Sequence, residues 1–300
     1  MSASSALDSS RTEPAVRQSW FYRLGLFTLL FACGMAVFLF GCNYYRIFPT
    51  NKNLAYEGGL AITFLIAALL MKRSARWEKY WQIAYAFFIA SAVWFITTLV
   101  GGFGNWALRL TNGSESTPMG TAIGKVGEAI GTVTIILVLN KLAGADLGSV
   151  FIRRGNLKWA LLVGLAVLLN FATAALMASA SQYTQLDLLG AVMLWGLVFS
   201  LANGFMEELW FRGILLGKLR SLIGPGAAIL LTALLFSIMH AGGLYMSPAA
   251  MPFYLINLFT HGLAMGYLVF KMNNLWGACL YHAACDFWLF IVMAGGFTSG

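Results

Sequence analysis

The stretch Leu188–Leu216, LLGAVMLWGLVFSLANGFMEELWFRGILL, decides the fold class of this chain. It has no proline, and its only ionisable residues, Glu207, Glu208 and Arg212, gather near its C-terminal end. A helix rises about 1.5 Å per residue, so about 20 apolar residues cross the hydrocarbon of a bilayer. Inside a bilayer the backbone must satisfy its own hydrogen bonds, which leaves helices or closed barrels. An apolar run of this length selects the helix.

Comparable runs lie on both sides of it. They are expected near Leu24–Gly41, Leu54–Met71, Ile83–Phe103 and Gly120–Leu139 before it, and near Trp159–Ala180, Gly226–Ala241, Phe253–Phe270 and Leu275–Ala294. The expectation is an all-α polytopic bundle of eight or nine transmembrane helices. Composition agrees: 60% of the 300 residues are hydrophobic and 10% charged, where a soluble domain is about half apolar and a quarter charged. Pro14, Pro49, Pro118, Pro225, Pro248 and Pro252 all fall in the expected loops or tail, as a residue without a backbone donor should.

Basic residues set the expected orientation, because loops rich in Lys and Arg stay cytoplasmic. With the N-terminus inside, Arg23, Lys72, Arg73, Arg76, Arg153, Arg212, Lys218 and Arg220 fall with the inner segments, and only Arg46, Lys52 and Arg109 with the outer loops. The reading is a multi-pass protein of the cell membrane, N-terminus cytoplasmic and C-terminus outside. The formal net charge of +8 is then accounted for by topology and attraction to the bilayer surface, with no nucleic acid as partner. Cys33, Cys42, Cys279 and Cys285 have no zinc-type spacing and receive no chemistry.

Three segments follow from these patterns. Residues 1–19, rich in Ser, read as a disordered cytoplasmic tail; residues 20–119 as N-terminal spans; residues 120–300 as a core that contains all three histidines. The loop Asn140 to Lys158 is the expected seam between the two span groups. Gly120, Gly124, Gly127 and Gly131, and again Gly262 and Gly266, form small-residue spacings that bring helices close. Lys125 and Glu128, three apart, read as a buried pair.

Ionisable residues within membrane spans are costly and mark functional sites. Glu208 and Arg212 are four apart and face the same way on a helix, whereas Glu207 shares a different stripe with Asn203 and Ser200. Phe236 and His240 are four apart in the next span, and His282 and Asp286 are four apart in the last. A turn near Leu222–Pro225 leaves Glu207 and His240 each about 25 Å from it. Carboxylate and imidazole therefore come level, with Lys218 and Arg220 expected at the cytosolic tip of the hairpin.

The segments Glu207-Glu208-Leu-Trp-Phe-Arg212, Phe236-Ser-Ile-Met-His240 and His282-Ala-Ala-Cys-Asp286 resemble, in order, the EExxxR, FxxxH and Hxxx(N/D) motifs of the CAAX protease and bacteriocin-processing family. With Asp146-Leu-Gly and Leu275-Trp276 included, the resemblance covers roughly residues 125 to 295 and leaves the first three spans outside. It implies an intramembrane endopeptidase of the glutamic type acting on a peptide or protein substrate at the membrane; many members are linked with bacteriocin processing or self-immunity.

Read with that resemblance, Glu207 is the general base, His240 orients and shares the proton of the attacking water, and His282 stabilises the oxyanion. Asp286 stands where the family more often has Asn. It must either be protonated to donate a hydrogen bond or orient His282 from behind. Glu208, Arg212, Asn203 and Phe236 support the site. No metal is expected, although two histidines and a glutamate can hold zinc; no HExxH helix is present. The competing readings are a zinc-dependent membrane protease, a non-catalytic immunity or chaperone partner with the same fold, and a transporter resting on Lys125 and Glu128.

Overall fold

The computed structural model describes residues 20–42, 49–179, 186–242 and 247–293. The tail expected to be disordered at 1–19 lies outside them. The elements are α1 (Trp20–Phe38), α2 (Thr50–Arg73), α3 (Trp81–Leu99), α4 (Phe103–Thr111), α5 (Pro118–Leu142), α6 (Leu157–Ser179), α7 (Leu186–Glu208), α8 (Gly217–Ile223), α9 (Pro225–Met239), α10 (Met251–Met272) and α11 (Trp276–Met293). Among the described residues eight helices are long and apolar enough to cross a membrane, α7 and α8 counting as one span. The chain is thus an all-α, multi-pass membrane protein. The 18-residue α11, where a ninth span is expected, packs in the bundle but is not among those eight. Large apolar side chains such as Ile62, Leu70, Leu165, Leu169 and Ile256 point outward, as a protein with lipid for solvent permits.

Helix ends follow local chemistry. Pro118 opens α5 at a position where its missing N–H costs nothing, and Thr117 Oγ1 accepts from Gly120 N at 3.0 Å. Gly224, with φ of 89°, lets α8 reverse into α9, which again begins on a proline.

Two stretches depart from the sequence expectation. The third span ends at Leu99 rather than Phe103, because Gly101 and Gly102 have φ of 78° and 87°, a region that favours glycine. Phe103 then opens α4, which lies on α5. The glycine stripe of α5 serves this contact: a Cβ on Gly104 would meet Gly124 O at 2.8 Å, and one on Gly127 would meet Phe103 O at 2.8 Å. The second departure is Leu209–Leu216, a π-helical segment between α7 and α8, where an ordinary α-helix is expected. All eight of its residues are buried. A wide i→i+5 turn re-aims the side chains that follow it and is frequent at functional sites.

The seam at Asn140–Lys158 is not a loose linker. A short 3-10 turn at Leu147–Val150 packs against the π segment, Leu275 N donates to Phe151 O at 3.1 Å, and Asn274 Nδ2 donates to Arg154 O at 2.9 Å. One hydrophobic core runs from Leu30, Val37, Ile83 and Phe87 through Leu209–Leu216 to Phe236 and Ala278. The N-terminal helices therefore share their apolar interior with the C-terminal ones.

Candidate active site

α7, α9 and α11 supply the site, and their closeness has a specific cause. Gly204 lets α7 approach α11, since a Cβ there would lie 2.9 Å from both Ala283 N and Cys279 O. Gly262 does the same for α10 against Ala233 of α9. In each case a side chain would hold apart helices that carry polar groups.

The expected pair forms at the centre of this contact. Arg212 Nη1 donates to Glu208 Oε1 at 2.6 Å, and both side chains are fully buried. Arg212 Nη2 also donates to Gly262 O at 3.0 Å, and its guanidinium lies 4.9 Å from the centre of the Phe236 ring. Arg212, counted from sequence among the basic residues of the inner segments, is buried in the core. A buried ion pair persists only with such additional partners, because desolvating two charges is costly.

Glu208 also accepts from a residue that the helix spacing could not reveal. His282 Nδ1 is 2.9 Å from the same Oε1. Because Glu208 faces Arg212 as a carboxylate, Nδ1 carries the proton and donates. His240 is oriented in a similar way: its Nδ1 is 2.8 Å from Phe236 O, a carbonyl that only accepts, so Nδ1 donates here as well. Each ring is thus held through Nδ1 and turns its Nε2 toward the site.

Those two nitrogens converge on Glu207. Its Oε2 is 3.8 Å from His240 Nε2 and 3.7 Å from His282 Nε2, and this oxygen is buried without a hydrogen-bond partner. The distances are beyond a direct hydrogen bond and suit a small polar molecule held between the groups. Phe236 walls the site, edge-on to both imidazoles at 4.9 and 5.3 Å between ring centres.

Asp286 completes the cluster from the other side. Its Oδ2 is 3.7 Å from His282 Nε2 and accepts from Asn203 Nδ2 at 2.9 Å. The nitrogen behind the ring, Nδ1, belongs to Glu208. Asp286 thus faces the reacting side of the imidazole and not its back, which removes the geometry needed for orientation from behind. All eight residues singled out from sequence, Glu207, His240, His282, Asp286, Glu208, Arg212, Asn203 and Phe236, meet in this one cluster.

Lys125 and Glu128 pair at 2.6 Å, with part of each side chain exposed. Among the described residues no three His, Cys, Asp or Glu side chains are arranged to hold a metal ion, and no two of the four cysteines are joined in a disulfide.

Residues 189–288 match the family model for Type II CAAX prenyl endopeptidase Rce1-like. No curated protein and no solved structure matches the chain. The matched segment begins in α7, ends in α11 and contains every residue of the cluster. It is narrower than the expected 125 to 295 and leaves α1 to α6 outside. Family membership expected from the three motifs therefore has independent support, and the match is to proteases of the CAAX type.

Proposed function

We propose that this protein is an intramembrane endopeptidase in which Glu207 is the general base. The observation that carries the reading is the convergence of His240 Nε2 and His282 Nε2 on Glu207 Oε2 at 3.8 and 3.7 Å within a buried site. Glu207 removes a proton from a water, and the water oxygen bonds to the scissile carbonyl carbon. The developing oxyanion is held by donors on the opposite side of the carbonyl. Collapse breaks the C–N bond, and the proton on Glu207 passes to the leaving amine.

The surrounding residues hold this arrangement. Glu208 and Arg212 fix the His282 ring from behind and set its tautomer, and Phe236 O does so for His240. Asp286, held by Asn203, stands by His282 Nε2. A protonated Asp286 supplies an oxyanion donor there, a role that fits its side of the ring. The site is proposed to face the cytosol, in line with the basic residues at the α8 end, and the substrate is proposed to be a CAAX-type protein segment.

The test is cleavage of prenylated and unprenylated CAAX peptides by purified protein in lipid nanodiscs, with and without a strong chelator. The proposal expects peptide-bond hydrolysis that survives chelation. Activity lost to the chelator and restored by zinc would make Glu207, His240 and His282 metal ligands instead, and folded protein without hydrolysis of either peptide would favour the immunity or chaperone reading.

A further inference from the structure

A second constellation lies away from the cluster, toward the other end of the α7–α8 rod. Lys218 is eleven residues beyond Glu207, roughly 16 Å along a helix. The hairpin reading from sequence puts its ammonium at a solvated tip. In the structure Lys218 Nζ is buried and has no hydrogen-bond partner.

It borders a cavity of about 640 Å³ between the start of α3, the α5–α6 connection and α8, whose lining includes Trp81, Tyr85, Asp146, Arg153, Lys218 and Arg220. Three cations and one carboxylate meet there. Asp146 is already used, its Oδ1 accepting from Ser149 N at 2.9 Å. Among the described residues none of the three cations has a carboxylate within ion-pair distance. Arg153 donates from Nε to Asn273 O at 3.1 Å and lies 5.0 Å over Phe151. Arg220 rests 5.4 Å over Phe270. Both guanidinium groups are exposed and held by aromatic rings, while the lysine is sunk between them and the core.

A buried ammonium without a counter-charge is unfavourable, and buried charges in proteins are paired or bound to an ion. Guanidinium pairs select phosphate oxygens. Basic pockets between membrane helices, edged by aromatic residues at interface level, are where anionic lipid headgroups dock. We propose that this cavity is a phosphate-binding site in which Lys218 meets the anion from below and Arg153 and Arg220 close on it. The phosphate comes either from an anionic lipid headgroup or from a free phosphate. The inference rests on the placement of the cations and stands whether or not Glu207 is a catalytic base.

Thermal stability and native mass spectrometry of the full-length protein distinguish these cases. Wild type and Lys218→Met are titrated with short-chain phosphatidylglycerol, with phosphatidylcholine, and with inorganic phosphate against chloride at equal ionic strength. The expected result is stabilisation of wild type by phosphatidylglycerol with an apparent affinity about tenfold or more above that of Lys218→Met. Inorganic phosphate reproducing the Lys218-dependent shift identifies the free anion as sufficient; phosphatidylglycerol acting alone identifies the headgroup. If Lys218→Met does not fold, the exposed pair Arg153→Gln with Arg220→Gln must show the same loss. No shift with either phosphate source, or equal shifts in wild type and variants, overturns the proposal.

Discussion

Two buried glutamates, one in each half of the molecule, separate burial from chemistry. Glu57 on α2 is 1% exposed and Glu207 on α7 is 4% exposed, and each has an Oε2 without a hydrogen-bond partner. Their neighbours differ. Glu57 Oε1 accepts from Asn53 Nδ2 of the same helix at 2.8 Å and from Thr98 Oγ1 at 3.1 Å, the hydroxyl tying α2 to α3. Glu207 faces two imidazole Nε2 atoms, each on a ring held through Nδ1 on its far side. A carboxylate sunk in a membrane protein marks a candidate site, but proton transfer needs bases and acids within reach. By this criterion Glu57 is a strut, and Glu207 is the carboxylate proposed as general base.

The contrast is easiest to break through the group behind Glu207. Glu208→Ala leaves Arg212 buried without its carboxylate and frees the His282 ring, so it should cost about 3 to 5 kcal/mol and abolish cleavage. Melting in detergent measures the first effect and peptide hydrolysis the second. A Glu208→Ala protein as stable as wild type would mean that the pair does not hold the site. The equivalent cut beside Glu57, Thr98→Val, removes the hydroxyl's hydrogen bond to the carboxyl and should cost about 1 to 3 kcal/mol with hydrolysis intact.

A smaller effect sharpens the assignment of Asp286. Asn at this position keeps an acceptor for Asn203 and adds a permanent donor on the reacting side of His282. Hydrolysis by Asp286→Asn should stay within about tenfold of wild type, far short of the roughly 10⁴-fold loss seen when a triad loses the acid that sets its histidine tautomer. A stable Asn variant with that larger loss would make Asp286 an essential carboxylate.

Much of this site was legible because it is built from short-range periodicity. Glu208 with Arg212, Phe236 with His240 and His282 with Asp286 are each four apart, and Gly224-Pro225 announces the reversal that brings Glu207 and His240 level. The contacts that cross between helices were not legible. Glu208 and His282 are 74 residues apart, and their hydrogen bond depends on how closely α7 and α11 pack at Gly204. The π segment carries no residue signature, since a shift in hydrogen-bond register is set by packing. α4 was read as loop because nine residues are too few to span and its partner, the glycine stripe of α5, suggested a full-length helix instead. The Lys218 ammonium is buried for the same kind of reason: its place beside the α5–α6 connection depends on tertiary packing that helical spacing does not encode.

The central claim, that neighbours and not burial give a glutamate its chemistry here, has a direct test in paired isosteric variants. Glu207→Gln and Glu57→Gln each remove a carboxylate and keep the shape of the side chain. Hydrolysis of a CAAX peptide in nanodiscs should fall by about 10² to 10⁴-fold for Glu207→Gln and remain near wild type for Glu57→Gln, with both proteins melting as cooperatively as the parent. A folded Glu207→Gln protein with wild-type hydrolysis would contradict the account.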